Sequence, residues 1–291
     1  LTSKKSKKAK GAPARKSKGG NKGGKKPAKK PALKPAGLAP RALTITGGEL
    51  EWVVNHLRSN LSDMLRVPMV SAFLAVNRLG RTGHDKIATF EGQDGAVIDH
   101  AAKYNREELI RNSALLRPYI LINALMGIYY VFNKAHGLKV LSIGPRSESE
   151  LFMLYGAGFH PDNVSALDLI SYSELVDLGD MHDMPYPDNS FDIIILGWVL
   201  GYSRNPQKVA DEVVRVARPG AFVAIGCERS PPASRHAPSQ SGIVLDGTYF
   251  EKTQEYVDLF KGHVFDVPVR HEVHRKMQNE TCHVIAVIEL K

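Results

Sequence analysis

A chain of 291 residues with 43% hydrophobic content can bury a real core, which excludes a wholly disordered protein. Its two cysteines, Cys227 and Cys282, exclude a disulfide framework and read as small buried hydrophobes in a reducing compartment. The net charge of +9 is uneven: residues 1–48 hold 13 Lys, two Arg and no acid, leaving the remainder at −6, so basicity points to nucleic acid through the tail alone.

Residues 1–45 consist mostly of Lys, Ala, Pro, Gly and Ser, in runs such as KKSKKAK and KKPAKKPALKPA. Such a segment has almost nothing to bury, cannot offset its ordering entropy and is expected to stay disordered. Two readings stay open for it. One is electrostatic contact with a nucleic acid, an acidic partner or an import receptor; the other is a solubilising extension. The start carries no charged-then-apolar signal sequence, although Leu1 stands where a Met would begin the chain, so a targeting segment ahead of it stays open. A cytoplasmic location is expected, or a nuclear one if the tail is an import signal.

From Thr46 to Gly137 the periodicity is helical, and residues 46–137 are expected to form a helical lead-in that caps the substrate side. Glu49 to Leu65 places Leu50, Val53, Val54, Leu57, Leu61, Met64 and Leu65 on one face, with Pro68 ending the segment. His84 to Gly95 is polar and Gly-punctuated, and reads as a loop. Asn105 looks like an N-cap, with Glu107 and Glu108 in the first turn of a helix running towards His136 and Gly137. Its apolar run from Pro118 to Phe132 falls short of the roughly twenty residues a membrane span needs, and Arg117 and Lys134 bound it. A helix buried against a sheet is expected, with no membrane partner.

Residues 138–291 alternate strands with helices. Strands are expected at 139–144, 164–169, 175–178, 191–196 and 221–226, with helices at 147–155 and 205–217. A helix from Phe250 to Phe260 then precedes strands near 263–271 and 281–290. The polar connection between those two strands is too short for a parallel crossover, so they should pair antiparallel. The fold class expected is α/β: a Rossmann-like, mostly parallel seven-stranded sheet ending in an antiparallel hairpin.

The block VLSIGPRSESE, ALDL, DLGDMHDMPYPDNSFDIIILGWVLGYSRNP and EVVRVARPGAFVAIG, residues 139–228, resembles the core of class I methyltransferases. Those commonly read VLDLGCGTG, an acidic residue at the end of strand two, GD-x-x-x-LPFPDNSFD and E-x-x-RVLKPGG. The segment Gly179 to Asp192 is the most distinctive part. The resemblance implies S-adenosyl-L-methionine as cofactor and a small-molecule or sugar-like acceptor, methylated on oxygen. Gly144 would turn the backbone sharply beside the ligand, and Asp168, with Leu169 next to it, would accept the ribose hydroxyls. Asp180 would accept from the adenine amino group while Met181 lines the base. Gly197 and Trp198 would contact the methionine portion.

The first loop departs from the family pattern, because Gly144-Pro145-Arg146-Ser147 is followed by Glu148 and holds one glycine where three are usual. Pro145 fixes φ and removes an N–H. Three outcomes stay open: Ser147 and first-turn N–H groups replace the lost contacts, Arg146 binds the cofactor carboxylate, or binding has been lost. For a hydroxyl acceptor a general base helps, and His182, Asp183 and Tyr202 are the candidates, His182 for its pKa range. The Pro-, Ser- and His-rich loop Ser230–Gly247 follows the fifth strand and is expected to act as a lid. His271-Glu272-Val273-His274 is one residue short of a zinc-protease motif and sits on or beside a strand, so no metal is expected. Two further functions remain in view: a non-catalytic module that keeps the fold, and a nucleic-acid or protein methyltransferase tethered by the tail.

Overall fold

The computed structural model describes residues 45–91, 106, 107, 109, 116–229, 231 and 248–291. The tail to residue 44, the expected cap at Asn105 with Glu108, and the expected lid Ser230–Gly247 apart from Pro231 lie outside them. Gly47–Lys291 forms one compact unit.

Its centre is a seven-stranded sheet. In chain order the strands are β2 (Val140–Ile143), β3 (Val164–Asp168), β5 (Asp177–Leu178), β6 (Phe191–Gly197), β7 (Ala217–Arg229), β8 (Val264–His271) and β9 (Cys282–Leu290). They lie in the order β5-β3-β2-β6-β7-β9-β8. The first five run parallel, with Val140 facing Val164 on one side and Ile193 on the other. β9 pairs antiparallel with both β7 and β8. This is the mostly parallel sheet with a reversed closing strand expected from the sequence.

Both faces of the sheet are covered, which is why its strands read as near-continuous apolar runs. Side chains alternate across the strands. Leu141, Ile143, Ile194, Leu196, Val223 and Ile225 pack on one face against Val209 and Val213 of a helix at Pro206–Val216. That helix opens on Pro206 and on Asn205, whose side chain accepts the Lys208 N–H. Val140, Ile193, Ile195, Phe222 and Ala224 point the other way, onto Leu121, Ile122 and Leu125 and onto Met153 and Leu154. Ser142 shares that second face, a polar side chain in an apolar layer.

The lead-in differs from its expectation in four places. The first helical stretch is split into α1 (Gly47–Ser59) and α2 (Leu61–Met64) at Asn60, and neither contains a buried residue. Pro68 opens a third helix, α3 (Pro68–Thr82), at its first turn, where a missing N–H costs nothing. The expected continuous helix to Gly137 is broken after α4 (Pro118–Met126) by Gly127 and the extended Ile128, and resumes as α5 (Tyr129–Lys134). Within the expected loop at 84–95, β1 (Ala88–Thr89) pairs antiparallel with β4 (Ile170–Ser171), immediately after Asp168. Among the described residues no helix is long and apolar enough to cross a membrane.

Candidate functional site

The carboxyl ends of β2, β3 and β6 meet in one region, the edge at which open α/β sheets bind ligands. A recess there is lined by Gly144, Pro145, Arg146 and Ser147, by Ser149 and Glu150, by Gly197, Trp198, Val199 and Tyr202, and by Leu109, Arg117 and Pro118. Its volume is about 520 Å³, counting the mouth open to solvent. Seven of the residues singled out in the sequence therefore share one cavity: Gly144, Pro145, Arg146, Ser147, Gly197, Trp198 and Tyr202.

The first loop is held by unusual backbone and by buried charge. Gly144 has φ +68°, and a Cβ there would run into Val199. Arg146 also adopts a positive φ, 61°. Its N–H donates to Asp168 Oδ2 at 2.8 Å, while the Ile170 N–H donates to Oδ1 at 3.3 Å. Asp168 is buried, which raises its pKa, and these N–H groups work against that shift. Glu148 follows the loop and is 1% exposed. It accepts from Arg78 Nε and from Ser173 Oγ, both at 2.6 Å, and its N–H donates to Tyr172 Oη at 3.2 Å.

Helix α6 (Ser149–Ala157) begins immediately afterwards and carries Glu150 in its first turn. Glu150 is 3% exposed and accepts from Ser142 Oγ at 2.6 Å. Burial pushes its carboxyl up to about 7, against the Ser142 hydrogen bond and the Arg117 charge, with Asp168 adding to the rise.

Across the recess, Trp198 has φ +62°, a conformation a bulky residue rarely adopts. Two anchors hold it there: its backbone N–H donates to Gly226 O at 2.8 Å, and its Nε1–H donates to His283 Nδ1 at 2.9 Å. The Arg117 guanidinium lies 4.6 Å from the Trp198 ring centroid. Burial first and Arg117 second hold His283 below its ordinary pKa, consistent with a neutral ring that accepts from Trp198.

The remaining predicted residues lie outside the lining of the recess. Leu169 packs against a small cluster with Leu79, Ile87, Leu109 and Ile170, and its carbonyl accepts the Phe90 N–H at 2.8 Å. Met181 packs on the main core. Asp180 Oδ1 accepts from the His182 N–H at 2.9 Å and lies 2.6 Å from His182 Nδ1. His182 Nε2 in turn is 2.7 Å from the Oγ of Ser203, the neighbour of Tyr202. Burial raises the Asp180 carboxyl, but the bonds from His182 outweigh it and hold the group below its ordinary value. Asp183 bridges back to Asp180. Among the described residues no group of three or more His, Cys, Asp or Glu could hold a metal ion.

Sequence reasoning missed Glu150, Arg117 and the Glu148–Arg78–Ser173 cluster. An acid in a helix's first turn ordinarily faces solvent and complements the dipole, so Glu150 carried no sign of burial. One signal was available: Ser142 is a lone hydroxyl in a strand otherwise apolar, and on that face it needs a buried partner.

A family model described as a methyltransferase domain matches residues 156–225. The demethylmenaquinone methyltransferase of Symbiobacterium thermophilum is 36% identical over 67 residues, covering 22% of this chain and 26% of that protein. The ajmaline N-methyltransferase of Rauvolfia serpentina is 41% identical over 49 residues, 17% of each chain. The chain thus spans about a quarter or less of the length of these relatives. Among solved structures, the 1,6-didemethyltoxoflavin-N1-methyltransferase of Burkholderia thailandensis, with bound 1,6-didemethyltoxoflavin and S-adenosylhomocysteine, aligns with a TM-score of 0.46. It is 14% identical, over 70% of this chain and 95% of that one.

Proposed function

We propose that this protein transfers a methyl group from S-adenosyl-L-methionine to a small-molecule acceptor, through an acceptor oxygen. Asp168 carries the reading: a carboxylate buried at the tip of β3, one loop away from a cavity at the carboxyl edge of β2 and β6. Its oxygens accept backbone N–H groups from Arg146, Ile170 and Leu169, and a carboxylate so held is the kind of acceptor that two vicinal ribose hydroxyls require. The matched methyltransferase-domain segment, 156–225, includes Asp168, Asp180 and Trp198, and both similar proteins quoted above are named as methyltransferases.

The donors and acceptors fit the cofactor in kind. Carboxylates stand at Asp168 and Asp180 for ribose and adenine, and Glu150, Arg117 and Arg146 supply both signs of charge around the recess. When bound, the cofactor supplies an electrophilic sulfonium methyl group. This chain's residues position the acceptor and exclude water. Trp198, anchored at both its backbone and its ring, forms the rigid wall; Tyr202 lines the recess and can hydrogen-bond an acceptor hydroxyl. His182 acts as base only after Nε2 leaves Ser203, so Tyr202 is the nearer of the two proposed acceptor-side groups.

Calorimetry with S-adenosylmethionine tests the cofactor reading. Micromolar binding that weakens at least tenfold in Asp168→Ala is expected. No binding below millimolar concentration, unaffected by that substitution, overturns it. Mass spectrometry of a metabolite extract incubated with labelled cofactor would then identify the acceptor.

A non-catalytic module is the second reading, favoured by one observation: Arg146 commits its N–H to Asp168 in a loop that also contains Pro145. A nucleic-acid or protein acceptor draws only on the charge of residues 1–45. Deleting that segment should abolish activity on such a substrate and leave a small-molecule activity nearly unchanged.

A further inference from the structure

Among the described residues Glu150 is the one acid that lines the recess, and its two oxygens differ. Oε1 is committed to Ser142 Oγ at 2.6 Å. Oε2 faces Gly197, where a Cβ would lie 3.4 Å away, so the absence of a side chain at 197 keeps the space before that oxygen open. A carboxylate 3% exposed, whose partner among the described residues is the neutral Ser142 hydroxyl and whose proton is governed mainly by burial, is poorly compensated. Such a group is stabilised by a positively charged ligand. Arg117 stands on the same recess and acts on Glu150 through space. A carboxylate and a guanidinium around one cavity match a zwitterion, the charge pattern of an α-amino acid.

We infer that Glu150 Oε2 receives the α-ammonium of the amino-acid portion of the cofactor, with Ser142 holding the carboxylate in place. The inference rests on the cofactor reading above and deepens it. In the family pattern quoted earlier an Asp stands at the position of Ser142. Here the strand offers a hydroxyl instead, and the charge comes from the first turn of the following helix, immediately beyond a loop that lacks two of its glycines.

The arrangement links binding to protonation. Without ligand the carboxyl titrates near neutrality, at about 7, influenced by Ser142 and Arg117 downward and by Asp168 upward, with Arg146 and Tyr202 also on the recess. An ammonium hydrogen-bonded to it favours the ionised form, so binding near pH 7 expels the proton.

Two ligands separate this inference from the reading beneath it. S-adenosylhomocysteine carries the amino-acid end; 5′-methylthioadenosine carries the nucleoside and lacks it. Glu150→Gln keeps the shape of the side chain and an acceptor for Ser142. In titration calorimetry the variant should bind S-adenosylhomocysteine roughly thirtyfold more weakly or worse, and 5′-methylthioadenosine as wild type does, which also reports an intact fold. Repeated in buffers of different ionisation enthalpy at pH 7, wild type should release about half a proton per S-adenosylhomocysteine bound, and the variant none. Equal effects on both ligands, or unchanged binding and proton release, overturn the assignment. Unchanged binding with slower methyl transfer and an altered pH profile also overturns it, making Glu150 a base at the acceptor. If wild type binds neither ligand, the cofactor reading itself fails.

Discussion

Arg78 of α3 and Glu148 of the first loop form an ion pair at 2.6 Å across 70 residues of sequence, with the Glu148 side chain 1% exposed and that of Arg78 53% exposed. The hydrogen bond that Arg78 donates to Glu148 raises the Arg78 pKa above its ordinary value. The helical lead-in is therefore fastened to the segment that shapes the recess. Removing one partner leaves a buried carboxylate uncompensated, which costs more than the intact pair contributes. Because Arg78 is half in solvent, Arg78→Ala is expected to cost about 2 kcal/mol, a drop of roughly 5 °C in Tm for a unit of this size. Glu148→Gln combined with Arg78→Ala should recover part of that loss. Additive losses in thermal denaturation would contradict the coupling.

Gly144→Ala tests the turn that ends β2. A methyl group there adds strain at φ +68° and drives into Val199. Together these should destabilise the protein by about 2–4 kcal/mol. Adding Val199→Ala relieves the collision and leaves the backbone strain, so the double variant should melt above Gly144→Ala and below wild type. Equal melting of Gly144→Ala and wild type would mean that the loop adapts freely.

The sheet was legible because its strands bury both faces, and apolar runs at 140–143, 191–197 and 221–226 stand out against any turn chemistry. The closing hairpin followed from one connection length. The lead-in was less legible. Pro68 stops a helix or starts one with equal local logic, and only the contacts of Ala72, Ala75 and Leu79 decide for a start. The break at Gly127–Ile128 lies in a run whose apolar character continues across it, so periodicity gave no warning. Two residues at 88–89 pair with 170–171, a non-local contact that no window of sequence contains. In the site, the strand-end residues were found by spacing, whereas Glu150, Arg117 and Arg78 matter because the fold carries them to the recess or its loop from helix positions that read as ordinary surface.

Asp180, His182 and Ser203 form a hydrogen-bonded chain whose first member is held below the usual carboxylate range, where burial alone would raise it. A carboxyl with a depressed folded pKa contributes stability above its unfolded value, and that contribution disappears as pH falls through the folded value. His182→Ala removes the imidazole's hydrogen bond and charge while the residue's backbone N–H still donates, so the Asp180 carboxyl should titrate higher than in wild type. Carbon-detected NMR of the side chain, compared between wild type and variant from pH 2 to 7, reads this directly. A titration unmoved by the substitution would show that His182 does not hold the charge.

Glu150 has the opposite sign. Its folded pKa of about 7 lies above the ordinary 4.5, because burial penalises the carboxylate. Below about pH 4.5 both folded and unfolded chains keep the proton and the group is neutral in its effect. Between 4.5 and 7 the unfolded chain loses the proton while the native chain retains it, so the unfolded state is favoured progressively as pH rises. Above 7 the penalty is complete, at about 3 kcal/mol for a shift of this size. Glu150→Gln cannot ionise and escapes it. In urea denaturation without ligand the variant should match wild type near pH 4.5 and exceed it by a few kcal/mol at pH 8. S-adenosylhomocysteine should then narrow the gap at pH 8, because the ammonium compensates the wild-type carboxylate and has no charge to meet in the variant. A gap independent of pH would place its origin in packing rather than in the proton.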